Sequence, residues 1–455
     1  MTVTAAAPFG ALVAELSDWS VAPADLVAAS RDRSGSPVLR GAALLVRARS
    51  VTEVQATLRF ATAHGLPVVT RGAGSGVAGG AIAGPDAIVL DLSRLDRILA
   101  IRPDDQVAVV EPGVITADLD AAAAAHGLFY APDPGSVAIS TIGGNIATNA
   151  GGLRGAKYGV TRDAVLALDV VRADGRLLSL GAPVLKRVTG YDLLGLFVGS
   201  EGTLGVIVGA TLRLLPRPVA TSTVAAFFDD VRQAADAAIA VRSSGVRPVT
   251  LELVDGATLE AIDALEGTSL RASGAAFLLV QTDGHAAAIE AAVVADVLEP
   301  LARVVERSDD PARSAELTTA RRQALPALER LGRVLIEDIA VPPSRLAEAI
   351  DGIHRIAERT GARIFVFAHA GDGNVHPIVV VDRDADDVPE HVAEAVEAVF
   401  ALALRLGGTV TGEHGIGLLK RDWVAREVGE DVDRIQHQIK SLLDPGGILN
   451  PGKAI

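Results

Sequence analysis

The sequence predicts an α+β protein with two domains behind a short N-terminal helical segment. Its 455 residues are 49% hydrophobic, which is enough for more than one buried core and too apolar for a disordered chain. Strand patterns rich in Val, Ile and Leu alternate with helical patterns along the chain. The turn Pro216-Arg-Pro218 separates a glycine-rich half from a half of long Ala-rich helices. We therefore expect the helical segment at 1–36, a first domain at 37–216 and a second domain at 217–455.

The first half reads as short buried strands joined by helices and hairpins. Helices are predicted from Ser50, whose spacing to Glu53 is that of a capping box, and over 116–126. The region 131–152 consists almost entirely of turn-forming residues, so we expect loops there. The predicted strands share β-branched, apolar runs and lie at 44–47, 67–70, 87–92, 106–111, 164–173, 177–180 and 208–214. Of these, 164–173 and 177–180 form a hairpin around Asp174-Gly175.

Long Ala-rich helices dominate the second half. They are predicted at about 230–243, 285–304, 344–360 and 388–406. Strands such as 250–254 and 276–282 alternate with them. Because strands separated by helices recur, we expect a compact α+β sandwich with its helices on one face of the sheet.

Composition excludes several kinds of site and partner. The absence of cysteine excludes disulfides, thiolate zinc sites, a catalytic cysteine and an iron–sulfur cluster within the chain. A net charge of −14 without a basic run argues against a nucleic-acid partner. No basic residue precedes Arg31, and no apolar run approaches the ~20 residues of a membrane span. We therefore expect a soluble cytoplasmic protein, with peripheral attachment to the inner face of a membrane left open.

Two glycine-rich stretches near the C-terminus, Phe367–Pro377 and Thr411–Gly417, carry side chains that bind metals. Glycine beside such side chains lets the backbone turn sharply and approach a bound group. The imidazoles of His369 and His376 and the carboxylate of Glu413 form a divalent-metal set with open coordination positions.

The imidazole of His414 would then be free to move protons beside this set. For either stretch alone, a polar turn whose histidines satisfy hydrogen bonds is the better interpretation. The occurrence of both stretches in one chain favours the metal site.

A third motif, Arg71-Gly-Ala-Gly-Ser-Gly76, follows a predicted strand as a Rossmann fingerprint does, with Asp91 in the place of the ribose-binding acid. A Rossmann loop must open a helix that holds the pyrophosphate. Residues 77–86 contain too many glycines and prolines for that helix. A glycine loop without a helix can still bind phosphate through its N–H groups, and a tight hairpin or bulge is the alternative.

Four such loops occur in the first 216 residues, each beside Ser, Thr or Asn donors, and they lie at 71–80, 132–136, 141–152 and 199–205. A large ligand that runs across several loops explains this number better than structural turns do. A dinucleotide has the required size.

These motifs resemble those of the FAD-linked oxidoreductases that have a flavin domain of the p-cresol methylhydroxylase/vanillyl-alcohol oxidase type. More narrowly, the chain is similar to the cytochrome-type D-lactate dehydrogenases, the flavin subunit of glycolate oxidase and the D-2-hydroxyglutarate dehydrogenases, over roughly residues 35–455. The resemblance implies a two-part FAD-binding domain, an α+β substrate domain and a C-terminal helical segment that returns to the flavin. The motifs fall in order at Thr70–Val77, Pro132–Ser136, Thr141–Gly152, Lys186–Ile207, His369–Pro377, Gly412–Gly417 and Asp444–Lys453.

The resemblance also implies which residues bind FAD. They are Thr70, Arg71, Gly72, Ala73, Gly74, Ser75, Gly76, Asp133, Ser136, Thr141, Gly144, Asn145, Glu201, Gly202, Gly205, Ile207 and Asn450. Many relatives that attach FAD covalently through the first loop have a histidine where this chain has Ser75. The serine and the lack of cysteine favour dissociable FAD, although a histidine link from the C-terminal domain stays open.

For the C-terminal motifs, the 2-hydroxy-acid members imply one divalent metal, zinc or manganese, on His369, His376 and Glu413. His414 would be the base that removes the hydroxyl proton while flavin N5 accepts hydride from C2. Arg321 would bind the substrate carboxylate, with Arg322 as the alternative. Asp372 and Asn374 would fix the metal loop rather than ligate. The implied reaction is oxidation of a D-2-hydroxy acid, D-lactate first, to the 2-oxo acid.

One departure from the family narrows the substrate. The hydroxyglutarate enzymes carry a lysine where this chain has the apolar run Val334-Leu-Ile336. This run disfavours a dicarboxylate and favours lactate, glycolate or a longer apolar 2-hydroxy acid.

Several alternatives stay open in the sequence. The chain could be a glycolate oxidase flavin subunit or a D-2-hydroxyglutarate dehydrogenase. Less favoured are a non-redox transferase similar to alkylglycerone-phosphate synthase and a non-catalytic electron-relay subunit. The electron acceptor would be a protein or a quinone, with an iron–sulfur partner subunit and a homodimer both open.

Overall fold

The structure, a computed structural model, describes residues 7–38, 40–384 and 387–455. The first residues of the predicted segment 1–36 therefore lie outside the described residues. The chain forms two compact units. The first comprises Met1–Gly152, Gly159–Arg217 and Glu413–Ile455, and the second comprises Leu153–Tyr158 and Pro218–Gly412. The units differ from the predicted domain ranges because 413–455 groups with the first unit and 153–158 with the second.

The strands are β1 Trp19–Ser20, β2 Leu44–Arg47, β3 Val68–Arg71, β4 Ile88–Asp91, β5 Ile98–Arg102, β6 Val107–Val110, β7 Leu128–Phe129, β8 Val165–Val171, β9 Leu177–Gly181, β10 Val206–Arg213, β11 Leu215–Pro216, β12 Thr221–Phe228, β13 Thr250–Asp255, β14 Ala276–Asp283, β15 Val304–Ser308, β16 Arg333–Ile336, β17 Ile339–Ala340, β18 Arg363–His369 and β19 Asn374–Val381.

The α-helices are α1 Gly10–Val13, α2 Pro23–Ala29, α3 Val51–His64, α4 Thr116–Ala124, α5 Ile142–Thr148, α6 Gly155–Tyr158, α7 Thr161–Ala164, α8 Leu194–Phe197, α9 Val231–Ser243, α10 Gly256–Glu266, α11 Leu270–Ser273, α12 Ala287–Leu298, α13 Pro311–Arg322, α14 Ala324–Leu331, α15 Leu346–Thr360, α16 Glu390–Arg405, α17 Val424–Val428 and α18 Glu430–Leu443. Short 3₁₀ helices cover Ala7–Phe9, Pro343–Arg345 and Arg421–Trp423.

The first unit contains a four-stranded sheet in the order β1-β2-β4-β3, in which β2, β4 and β3 are parallel. Helix α3 begins where predicted, because Ser50 Oγ accepts a hydrogen bond from the N–H of Glu53 at 3.3 Å. The Glu53 carboxylate accepts from the N–H of Ser17 and Arg49 instead of closing the capping box. Leu449, six residues before the end of the chain, bridges to Val68 and is fully buried in this core. The sheet that ends in the first glycine loop is therefore completed by the C-terminus.

A second sheet of this unit has the order β5-β6-β10-β8-β9 and is antiparallel, and β8 and β9 form the predicted hairpin. The prediction of loops throughout 131–152 is wrong for Ile142–Thr148, which form α5. Burial of Ile142 and Ile146 in the core outweighs the low helix propensity of the glycines between them. Thr141 caps this helix by accepting from the N–H of Gly144 at 3.2 Å.

The second unit is built on an eight-stranded antiparallel sheet in the order β15-β12-β14-β13-β18-β19-β16, with β17 beside β19. Helices α10, α13 and α14 pack on the face that carries Val254, Phe277 and Phe367. Helices α9, α12 and α15 contact the same sheet and one another. Every residue of β13 is buried, so both faces are covered and the expectation of helices on one face only is wrong.

The segment 153–158 is held in the second unit by polar contacts, most of them with Asp283. The ammonium of Lys157 pairs with the carboxylate of Asp283, and the hydroxyl of Tyr158 donates to the same carboxylate at 2.7 Å.

In the described part of the chain, no helix combines the length and the apolar character that a membrane crossing requires.

Candidate functional site

Three of the predicted glycine loops meet at the end of β3 in the first unit. A Cβ added to Gly72 would lie 2.2 Å from Thr141 Oγ1. A Cβ added to Gly202 would lie 3.8 Å from the Cβ of Thr70. Glycine at position 72 is therefore required by the close approach of the loops at 71–80 and 141–152.

A buried hydroxyl at this point fits a polar ligand. Thr70 Oγ1 is inaccessible to solvent and has no hydrogen-bond partner among the described residues. Leaving a buried hydroxyl unsatisfied costs about 1–3 kcal/mol. A phosphate or ribose oxygen bound between the loops would satisfy it, so the residues present here fit the predicted dinucleotide.

The guanidinium of Arg71 forms hydrogen bonds with backbone carbonyl oxygens at the base of the same loop. Its guanidinium donates to the carbonyl oxygens of Ala29 at 3.2 Å, of Arg31, and of Ala73 at 3.3 Å. Gly74 has a φ of +66°, and a Cβ at that position would lie 2.2 Å from Arg71 Nη2. The shape of the loop therefore depends on glycine at position 74.

The predicted loops at 132–136 and 141–152 also approach each other closely. A Cβ on Gly152 would lie 2.3 Å from the carbonyl oxygen of Asp133, which places loop 132–136 against the end of loop 141–152. The predicted contacts Ser75 and Ser136 are half-buried. Gly76 is exposed and has open space where a side chain would be.

Some residues that are predicted to contact FAD have side chains that pack or form hydrogen bonds within the protein. Asn145 Nδ2 donates to Thr116 Oγ1 at 2.7 Å. Ile207 lies in the hydrophobic core, and a Cβ on Gly205 would lie 2.5 Å from Val170 Cγ1. These residues shape the loops, and their contact with FAD stays a prediction.

Glu201 holds the C-terminal glycine motif within the first unit. Its carboxylate accepts from the N–H groups of Ile416 at 2.7 Å and Gly417 at 2.9 Å. Burial raises the pKa of Glu201, while those two hydrogen bonds act in the opposite direction. Asn450 Nδ2 donates to the carbonyl oxygens of Glu201 at 2.7 Å and Gly80 at 3.0 Å. Two C-terminal segments are thus fixed on the glycine loops.

The same motif positions Glu413 and His414, which both belong to the first unit. A Cβ on Gly151 would lie 2.6 Å from Glu413 Oε2, so the carboxylate rests against the loop that ends at Gly152. His414 Nε2 is 3.8 Å from Glu413 Oε1. The carboxylate and the imidazole therefore lie beside loops that are predicted to bind FAD.

In the second unit, strand register brings polar side chains to one end of a sheet face. Glu252 on β13 is directly opposite His369 on β18, and His369 is opposite Asn374 on β19. Phe367 is opposite His376. Because directly opposite residues and residues two apart share a face, all five side chains project toward α13 and α14. The His369 and His376 rings are perpendicular, with centroids 5.0 Å apart.

Glu252 connects two of the predicted site residues and was not predicted itself. Its Oε1 lies 2.7 Å from His369 Nδ1, and its Oε2 lies 2.7 Å from Arg321 Nε. The side chain is 1% exposed. A sequence signal existed, because a carboxylate inside an apolar strand must be paired when the strand is buried.

The two candidate arginines differ in environment. The side chain of Arg321 is 12% exposed, and its guanidinium lies over the Phe367 ring at 4.3 Å. Its hydrogen bond to Glu252 engages Nε, at the side of the guanidinium away from the edge formed by Nη1 and Nη2. Arg322 is exposed. A buried guanidinium with an open edge suits a carboxylate ligand.

Thr411 and Gly412 lie at the same end of this sheet. Asp338 Oδ2 accepts from Thr411 Oγ1 at 2.6 Å and from the N–H of Gly412 at 2.9 Å. A Cβ on Gly412 would lie 2.6 Å from the Asn374 amide. Asp372 Oδ1 accepts from the N–H of Asn374 at 3.2 Å. Gly412 therefore lies against the residue that pairs with His369, and Glu413 is the next residue along the chain.

Comparison with known proteins gives the family. Residues 217–454 match the C-terminal domain of FAD linked oxidases, and residues 42–181 match the FAD binding domain. Glycolate oxidase subunit GlcD of Bacillus subtilis is 39% identical over 415 residues, which cover 90% of this chain and 88% of that protein. The D-lactate dehydrogenase of Archaeoglobus fulgidus is 36% identical over 418 residues, which cover 90% of this chain and 91% of that protein.

A solved structure shows the same fold at lower identity. p-Cresol methylhydroxylase with substrate bound aligns with a TM-score of 0.82 and 18% identity, covering 99% of this chain and 96% of that one. These matches confirm the predicted α+β fold with its p-cresol methylhydroxylase-type FAD-binding domain and C-terminal oxidase domain. The chain belongs to the FAD-linked 2-hydroxy-acid oxidoreductase family, as an oxidoreductase of the glycolate oxidase GlcD and D-lactate dehydrogenase type.

Proposed function

We propose that this protein is an FAD-dependent dehydrogenase that oxidises a D-2-hydroxy acid, D-lactate first, to the 2-oxo acid. The observation that carries the proposal is the open guanidinium edge of Arg321, held by Glu252 beside His369 at one end of the sheet face. A carboxylate substrate needs such an anion site, and it needs a group that lowers the pKa of its hydroxyl.

We propose that FAD binds non-covalently across the glycine loops, with Thr70 Oγ1 as one of its hydrogen-bonding groups, and that His369, His376 and Glu413 hold a divalent metal. When bound, FAD supplies a hydride acceptor, and zinc or manganese supplies a Lewis acid for the substrate hydroxyl. Two imidazoles and a carboxylate leave coordination positions open for substrate. Glu252 accepts from His369 Nδ1, which leaves Nε2 as the nitrogen with the lone pair.

The chain's own residues then bind and deprotonate the substrate. Arg321 takes the carboxylate with its two terminal nitrogens, which fixes the C2 hydroxyl in one orientation. His414 accepts the hydroxyl proton as the general base. Its preceding residue, Glu413, is committed to the metal, so the imidazole is the group that stays available for proton transfer.

The side chains of strand β16 favour a substrate that has one carboxylate. Val334 and Ile336 pack against the hydrophobic core of the second unit, so these positions offer no cation for a second carboxylate. We therefore favour a monocarboxylate. Glycolate is the second candidate because a relative with high identity is named as a glycolate oxidase subunit, and D-2-hydroxyglutarate is third.

The direct test is anaerobic mixing of the purified yellow protein with single acids while the flavin absorbance is recorded. We expect D-lactate to bleach the flavin and to yield pyruvate, with L-lactate and D-2-hydroxyglutarate much slower. Faster bleaching by glycolate would reassign the substrate within the class. A flavin that no 2-hydroxy acid reduces would refute the proposed function and would favour a transferase or an electron-relay subunit. An external electron acceptor, a protein or a quinone, would complete the turnover.

The substitution Arg321→Lys should raise the KM for D-lactate roughly tenfold to a hundredfold. Lysine keeps the charge but cannot form two parallel hydrogen bonds with a carboxylate, and such charged hydrogen bonds contribute about 1.5–3 kcal/mol. Steady-state kinetics with a dye acceptor measures the effect. Arg322→Lys is the matched control and should leave KM unchanged. If only the Arg322 variant is impaired, that neighbour is the carboxylate anchor.

The substitution Gly74→Val should abolish retention of FAD. A valine at a φ of +66° is strained, and its Cβ would displace the Arg71 guanidinium that braces the loop. The ratio of flavin to protein absorbance after gel filtration measures retention. Gly84→Val is the control, because a side chain at position 84 meets open space at an ordinary φ. Full flavin content in the Gly74 variant would refute the assignment of this loop.

A further inference from the structure

We propose that Glu252 is a positioning residue that fixes the substrate-binding arginine and the metal-binding histidine with one carboxylate. The inference rests on the proposed function and deepens it. One oxygen accepts from His369 Nδ1 and the other from Arg321 Nε, both at 2.7 Å. Glu252 thereby couples the anion site to the metal site through two hydrogen bonds.

The first consequence concerns the tautomer of His369. An ionised carboxylate can only accept hydrogen bonds, so Nδ1 must carry the proton of the neutral ring. Nε2 then carries the lone pair, which is the form that a metal requires. Glu252 and His369 are directly opposite each other on β13 and β18, so the backbone register fixes this contact.

The second consequence concerns the orientation of Arg321. The guanidinium is held at Nε by Glu252, and its plane lies over the Phe367 ring at 4.3 Å. Among the described residues, these two restraints engage Nε and one face of the guanidinium, so the edge formed by Nη1 and Nη2 is the side that suits a ligand carboxylate. Because the guanidinium of Arg321 is already held in one orientation, the side chain loses less conformational entropy when a carboxylate binds.

A role in stability alone would not require both partners. Arg321 already neutralises the buried carboxylate, and an ion pair could have been formed with any basic side chain. The arrangement instead divides the two oxygens between two groups with different tasks. Replacing the carboxylate by an amide should therefore damage metal binding and substrate binding together.

Glu252→Gln is the informative variant because it keeps the size of the side chain. A glutamine has one accepting oxygen, so its NH₂ group must face either Arg321 Nε or His369 Nδ1. If it faces His369, the ring must move its proton to Nε2 and can no longer ligate. If it faces Arg321, two donors oppose each other and the guanidinium turns away.

The experiment measures divalent-metal affinity by titrating the metal-free, FAD-loaded protein with Zn²⁺ or Mn²⁺, and it measures KM and kcat for D-lactate at saturating metal. We expect Glu252→Gln to weaken metal binding about tenfold to a hundredfold and to raise KM, with FAD content unchanged. Glu252→Asp retains the carboxylate and should restore a substantial part of both properties. Glu260→Gln, on the exposed side of α10, is the matched control and should behave as wild type.

The outcomes separate the two proposals. Wild-type protein that binds no divalent metal and is reduced by no 2-hydroxy acid would overturn the proposed function and this inference with it. A functional wild type together with unchanged metal affinity and KM in Glu252→Gln would overturn this inference alone. If the glutamine variant does not fold, the same two measurements on Glu252→Asp decide, because the shorter carboxylate should retain each property only in part, and wild-type values of both would overturn this inference.

Discussion

His414→Ala should lower the rate constant of flavin reduction by D-lactate by a factor of about 100 or more. The substitution removes the group that we propose accepts the hydroxyl proton, while the proposed metal ligands and the glycine loops proposed to bind FAD keep their residues. His414 lies in a motif whose backbone is fixed by hydrogen bonds from Ile416 and Gly417 to Glu201, so the loss of one imidazole should not alter the fold. Anaerobic stopped-flow absorbance measures the rate constant directly.

A matched control separates this effect from the loss of any histidine. His437→Ala removes an exposed imidazole on α18 and should leave the rate constant unchanged. Metal and FAD contents are measured on both variants. A near-normal reduction rate for His414→Ala would mean that another group takes the proton, and the assignment of the base would be wrong.

Removal of the metal should abolish activity while FAD stays bound. The four glycine loops that we propose bind FAD contain none of the predicted metal ligands, so a chelator should leave the flavin spectrum in place. Addition of Zn²⁺ or Mn²⁺ should restore D-lactate oxidation. Elemental analysis verifies removal, and dye reduction measures activity. Full activity in a verified metal-free sample would refute the metal site.

The same site predicts a contrast between histidine variants. His369→Ala should lose the metal, because it removes a ligand nitrogen and also leaves Glu252 with one partner fewer. His285→Ala, at an exposed position of the same unit, should keep the metal. Equal metal content in the two variants would exclude His369 as a ligand.

The fold was largely predictable where local signals are strong. The strands at 44–47, 107–110 and 250–255 follow from apolar runs bounded by turns, and α3 follows from the cap at Ser50. The helix α5 was not predicted, because its glycines read as turn residues and only the tertiary burial of Ile142 and Ile146 supports it. Cover on both faces of the second sheet depends on long-range packing and has no local sequence signature.

For the site, motifs predicted the residue types but not what their side chains contact. His369 and Arg321 were predicted by resemblance, whereas the carboxylate that joins them was missed. Glu252 is about 70 residues before Arg321 and more than 100 before His369. Strand pairing brings His369 to Glu252, and the packing of helix α13 on the sheet brings Arg321 there. The side chains of Glu201 and Asn450 are hydrogen-bonded to the protein's own loops, which the sequence did not indicate, and the contact of these residues with FAD stays a prediction.

The division of the chain into units has a practical consequence for fragments of this protein. The chain leaves the first unit after Gly152 and Arg217 and returns to it at Gly159 and Glu413. Expressing 1–217 alone would omit Leu449, which completes a core, and Asn450, which fastens two loops. Expressing 218–455 alone would leave those residues without their partners. A gene split after Arg217 therefore divides the first unit between two fragments, and we expect each fragment to be less stable than the same residues in the whole chain.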